Sequence, residues 1–63
     1  HIILKANREL ANKTVLLYAE DKPLFTAIVG KNGEIRIRRK TEEGKMLRDY
    51  IASGYQIYIE SPK

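Results

Sequence analysis

The 63-residue sequence has no cysteine, no tryptophan, one histidine and one phenylalanine. Without cysteine, neither a disulfide framework nor a thiolate metal site can reinforce the core. Because the one histidine is His1, no Ser-His or Cys-His arrangement for nucleophilic catalysis can be assembled. Acidic residues do not cluster with metal-ligand spacing, so no metal and no cofactor is expected. The chain lacks an apolar run of about 18 residues and a charged-then-apolar leader, which predicts no membrane span and no signal peptide and suits a reducing, cytoplasmic setting. One domain over residues 1–63 is expected. Its opening on His1 in place of methionine is consistent with excision from a larger protein. At this length only about 60% of the unfolded surface is buried, so the core must be thin, with no room to enclose a substrate.

What is present is an uneven distribution of charge. Between Lys31 and Arg48 stand seven basic residues (Lys31, Arg36, Arg38, Arg39, Lys40, Lys45 and Arg48) against three acidic ones (Glu34, Glu42 and Glu43), so this segment holds the entire net charge of +4. Such a local excess draws anionic partners toward one part of the surface.

The stretch Leu24 to Lys40 organises the fold. β-Formers flank Asn32-Gly33, the pair best suited to a two-residue type I′ hairpin, which sets Lys31 opposite Glu34, Gly30 opposite Ile35 and Val29 opposite Arg36. Upstream, Thr14 to Ala19 reads as a strand closed by the turn-forming Glu20-Asp21-Lys22-Pro23. With Glu20 opposite Pro23, Tyr18 faces Phe25 and Val15 faces Ile28. Paired residues share a face. One face of the resulting meander then holds Val15, Leu17, Ala19, Leu24, Thr26, Ile28, Ile35 and Ile37 and should be the core. The other holds Leu16, Tyr18, Phe25, Ala27, Val29, Arg36 and Arg38.

Around this meander the ends are simpler. Ile2 to Leu4 is a short apolar run suited to an edge strand, and Asn7 can cap a turn or two within the loop from Ala6 to Lys13. Thr41 caps a helix from about Glu42 or Gly44 to Ser53, with Glu42 and Glu43 at its positive end and Met46, Leu47, Tyr50 and Ile51 as its packing stripe. Gly54 stops the helix, Tyr55 to Glu60 alternates as a last strand, and Pro62 ends ordered structure. The fold class is therefore α+β: a small antiparallel β-meander of four to five strands with one helix before the last strand, either an open sheet or a barrel of SH3-like or OB-like architecture. The motif content is too generic to place the chain in a family.

The leading functional expectation is a non-enzymatic module for DNA or RNA. Tyr18 and Phe25 would form a stacking platform, Arg36 and Arg38 the cations beside it, and Arg39, Lys40, Lys45 and Arg48 a flanking phosphate track. The competing structural reading makes Tyr18, Phe25 and Leu16 a second small core overlaid by arginine stems. A different class is a protein-binding or inhibitory module whose basic, apolar face meets an acidic partner surface, or which self-associates through an edge strand at Ile2 to Lys5 or Tyr55 to Glu60. Gly30-Lys31-Asn32-Gly33 superficially resembles a glycine-bounded phosphate clasp, but such a clasp needs a helix directly after it and here a strand follows.

Overall fold

A computed structural model of the protein describes residues 1–61. Pro62 and its expected role as a terminator lie outside the described residues. The elements are β1 (Ile2–Lys5), a 3₁₀ turn (Arg8–Leu10), β2 (Thr14–Ala19), β3 (Lys22–Ile28), β4 (Glu34–Ile37), α1 (Glu42–Ala52) and β5 (Ile57–Glu60). This is the expected α+β class, with five antiparallel strands and a single helix before the last of them. The strands form two open sheets, one ordered β1-β4 and the other β3-β2-β5.

The first hairpin differs from the expected register. Ala19 pairs with Lys22 and Tyr18 with Pro23, so the connection is Glu20-Asp21, with Glu20 in the left-handed region at φ 56°. The register then shifts between Leu17 and Tyr18, leaving Leu24 as the extra residue of a bulge, and Leu17 pairs with Phe25, Leu16 with Thr26 and Val15 with Ala27. One residue of slip exchanges the two faces of a strand. Phe25 and Ala27 therefore turn toward the core and Val29 is fully buried, whereas Thr26 is exposed and Ile28 is 68% exposed. Thr26 and Ile28 are accordingly removed from the expected core face, and Phe25, Ala27 and Val29 from the outer one. Pro23 is accommodated because β3 is an edge strand, where a missing N–H breaks no ladder.

The second hairpin is also corrected. Gly33 N–H donates to the Gly30 carbonyl at 2.9 Å and Gly30 N–H to the Glu34 carbonyl at 2.7 Å, with Gly33 at φ 82°. The loop is thus three residues, Lys31-Asn32-Gly33, a turn followed by a left-handed glycine. Lys31 belongs to the turn, and the Asn32 side chain meets Glu34, Nδ2 donating to Oε1 at 3.0 Å. The ladder does not continue into β3. Instead β4 pairs with β1, Ile2 opposite Ile37 and Leu4 opposite Ile35. This lays the apolar side of the ribbon over the three-stranded sheet.

Between the sheets lies the core of Val15, Leu17, Val29, Ile35, Ile37 and Leu47, with Ile2, Leu4, Phe25, Ile57 and Ile59 packed around it. The helix begins as its sequence prescribes: the Thr41 side chain accepts from Gly44 N–H at 3.1 Å and its hydroxyl donates to the Arg38 carbonyl at 2.7 Å. It ends at Gly54 (φ 89°), where Gly54 N–H reaches the Ile51 carbonyl and Tyr55 N–H the Tyr50 carbonyl, each at 3.0 Å. These two hydrogen bonds close a Schellman motif, and the Tyr50 and Tyr55 rings meet edge to face at 5.1 Å as its apolar clasp. Of the expected stripe, Leu47 is buried and Tyr50 half-buried, but Met46 and Ile51 remain exposed.

Candidate nucleic-acid interface

The aromatic platform expected from the sequence does not form, because Tyr18 and Phe25 lie on opposite faces of the three-stranded sheet. Tyr18 is half-buried on the outer face, opposite Tyr58 on β5. Glu60 holds the Tyr18 hydroxyl above its ordinary pKa of 10.0, chiefly by hydrogen bonding, with burial and the carboxylate charge adding to it. Phe25 packs against the core cluster. Its exposed part lines a shallow cleft of about 210 Å³ between β3 and β4, where it meets Thr26, Arg36, Arg38, Thr41 and Glu43. Phe25 therefore shares a depression with the two arginines expected beside it, but without Tyr18.

Arg39 and Lys40 join Arg38 at the C-terminal end of β4. Arg38, Arg39, Lys40, Thr41 and His1 line a groove of about 540 Å³. Next to it a groove of about 490 Å³ runs between β1 and α1, lined by Ile2, Ile3, Arg39, Arg48, Ile51 and Ala52 together with His1. The three depressions share lining residues. Arg38 and Thr41 line both the cleft and the first groove, and Arg39 and His1 both grooves. Among the described residues, Glu43 is the one carboxylate in their combined lining, against Arg36, Arg38, Arg39, Lys40 and Arg48. Lys45 is exposed one helical turn before Arg48 and lines none of them.

Local chemistry explains this geometry. Alternation along β4 buries Ile35 and Ile37 and turns Arg36 outward, opposite Ile3 of β1. The Thr41 cap ties the helix start to the Arg38 carbonyl, which holds the Arg38-Arg39-Lys40 corner in place. On α1, Arg48, Ile51 and Ala52 flank the β1 groove. Tyr50 turns to the other side, its ring 5.5 Å from the Lys22 ammonium. Sequence reasoning missed Ile3, Ile51 and Ala52 as lining residues. Their role follows from the β1·β4 pairing and the position of the helix, for which no local sequence pattern exists.

Among the described residues no helix is long and apolar enough to cross a membrane. No family model matches the chain, and no solved structure matches it. The chain is similar to an uncharacterized KH and PIN-domain containing protein of Methanocaldococcus jannaschii, with 28% identity over 60 residues that cover 95% of this chain. The match spans 9% of that relative's length.

Proposed function

We propose that this chain is a nucleic-acid-binding module that acts by binding and not by catalysis, with Arg36, Arg38, Arg39, Lys40 and Arg48 as its phosphate contacts. The observation that carries this reading is the shared lining of the three depressions around the end of β4, where five cations stand with a single carboxylate among the described residues. Arginine suits the task because its planar fork pairs with phosphate in two hydrogen bonds and stays charged at every physiological pH. The KH domain named in the archaeal relative supports the same direction, since KH modules hold nucleic-acid strands. Tyr18 is removed from the interface, Phe25 keeps a role at the cleft, and Lys45 acts only as a peripheral charge.

Fluorescence anisotropy of labelled DNA and RNA oligonucleotides at two salt concentrations tests the proposal. The expected result is a Kd in the micromolar range or tighter, falling steeply in affinity as salt rises. Arg38→Glu with Arg39→Glu should cost at least tenfold at low salt and flatten the salt slope by about one unit per cation removed. Absence of binding by the folded wild-type protein at low salt would remove the reading.

A second reading rests on the strand edges. β1 and β5 each terminate a sheet, and Tyr58 stands exposed on β5. An edge of this kind can receive a strand from a protein partner or a second copy. A monomeric mass in analytical ultracentrifugation at high micromolar concentration would eliminate self-association.

A further inference from the structure

We propose that the outer face of the three-stranded sheet is a second binding surface, for an arginine-bearing segment of a partner protein. The core and the β1·β4 ribbon cover the inner face of this sheet, and among the described residues no element covers the outer one. The surface lies on the side of the molecule away from the cationic track and does not depend on the nucleic-acid reading.

Its floor is aromatic. Tyr18 of β2 and Tyr58 of β5 are direct cross-strand partners and therefore share this face. Tyr18 is half-buried, but Tyr58 is 51% exposed, and its hydroxyl donates to Gln56 Oε1 at 3.2 Å. The two tyrosines line a depression of about 440 Å³. Phenol rings attract a cation laid over their faces.

Its rim is acidic. Glu60 lies within reach of the Tyr18 hydroxyl, and Glu20 and Asp21 line the same depression. Glu20 N–H donates to the Gln56 carbonyl at 2.9 Å, which ties that turn to the start of β5. Among the described residues the lining thus holds three carboxylates and no cation. Lys22, next along the chain, turns instead toward α1, where its ammonium stands 5.5 Å from the Tyr50 ring. A chain of net charge +4 therefore keeps one uncompensated negative surface, and keeps it over tyrosines. The carboxylates do not converge on a metal, since among the described residues no group of three acidic or histidine side chains suits an ion. Nucleic acid is repelled here, and a neutral apolar segment would desolvate the carboxylates without replacing their hydrogen bonds. Arginine meets both demands: its planar fork pairs with a carboxylate while its face stacks on a phenol.

The test is a titration of the isotope-labelled wild-type protein with the peptide Gly-Arg-Gly-Arg-Gly at low salt, read by amide shifts in NMR. Shifts centred on Tyr18, Tyr58 and Glu60 are expected, with Gly-Lys-Gly-Lys-Gly binding about threefold more weakly and Gly-Glu-Gly-Glu-Gly leaving this face unshifted. Glu20→Gln with Glu60→Gln should weaken the arginine peptide about fivefold, and Tyr58→Leu about threefold, while the rest of the spectrum keeps the wild-type pattern and so reports an intact fold. No shift on this face, or equal shifts with the arginine and glutamate peptides, would overturn the proposal. Shifts at the same residues on concentrating the protein alone would also overturn it, by making the occupant a second copy. Oligonucleotide binding is read separately by anisotropy, so failure here leaves the nucleic-acid reading standing.

Discussion

Gly44 of α1 lies against the backbone of Arg39, so close that a Cβ on Gly44 would stand 2.8 Å from the Arg39 Cα. The atoms around that position belong to the main chain of Arg38 and Arg39 and cannot rotate aside. In an exposed helix interior Gly→Ala gains about 1 kcal/mol. Here the sign reverses: Gly44→Ala is expected to cost about 1–3 kcal/mol, the usual range for overpacking. Urea denaturation followed by circular dichroism measures it, and unchanged stability would show that the β4–α1 corner yields.

Gly33 and Gly54 separate two reasons for glycine. Both occupy the left-handed region, at φ 82° and 89°. Around Gly54 a side chain would meet nothing within 4 Å, whereas at Gly33 it would stand 3.0 Å from the Arg8 nitrogen. Asparagine enters this conformation more readily than other residues with a Cβ. Gly54→Asn is therefore expected to cost less than about 1 kcal/mol, and Gly33→Asn about 1–3 kcal/mol. Equal losses in chemical denaturation would mean that backbone conformation alone governs both sites.

Thr41 serves the helix and the basic corner through one oxygen, accepting from Gly44 N–H and donating to the Arg38 carbonyl. Thr41→Ala should lower stability by about 1 kcal/mol, and Thr41→Ser should restore most of it because the hydroxyl returns. A full loss in the serine variant would assign the effect to the methyl group instead.

The Tyr18 hydroxyl gives a dependence on alkaline pH. Its pKa is raised in the fold, first by hydrogen bonding to Glu60, so the folded protein retains a proton that the unfolded chain releases near pH 10.0. That contribution is complete below the unfolded value and is lost as pH climbs through the folded one. Urea midpoints of the wild type and Tyr18→Phe should run parallel up to about pH 9. Above that the wild type should fall faster. Curves parallel throughout would show that Glu60 does not hold the proton.

The parts of the fold legible in the sequence are those decided by neighbours along the chain. Thr41 with Glu42 and Glu43 specified the helix start, Gly54 its end, Asn7 the short turn whose Glu9 N–H it accepts, and the alternation of Val15, Leu17 and Ala19 the buried side of β2. What escaped was decided elsewhere. The bulge at Leu24 follows from a connection of two residues, Glu20-Asp21, in which a glutamate takes a positive φ that its composition does not advertise. That slip alone sent Phe25 inward and dissolved the platform with Tyr18. The exchange of β3 for β1 as the partner of β4 is a long-range choice, driven by placing Ile35 and Ile37 over Val15 and Leu17. The cationic track was visible as residues, Arg36 to Arg48, but its apolar floor at Ile3 and Ile51 required the fold.

The pairing of the first strand with the fourth also sets an order of assembly. The β2·β3 hairpin can close through contacts between neighbours, but β1 must wait until most of the chain between it and β4 has been arranged. Ile2 and Ile3 of that late strand form one wall of the groove against α1, so this wall is lost whenever β1 detaches, even if the three-stranded sheet persists. A ligand that binds only the docked form would suppress this partial opening. Hydrogen exchange should then slow in β1 and β4 on adding oligonucleotide and change little in β2, making the amino-terminal strand the part of the molecule whose persistence reports occupancy.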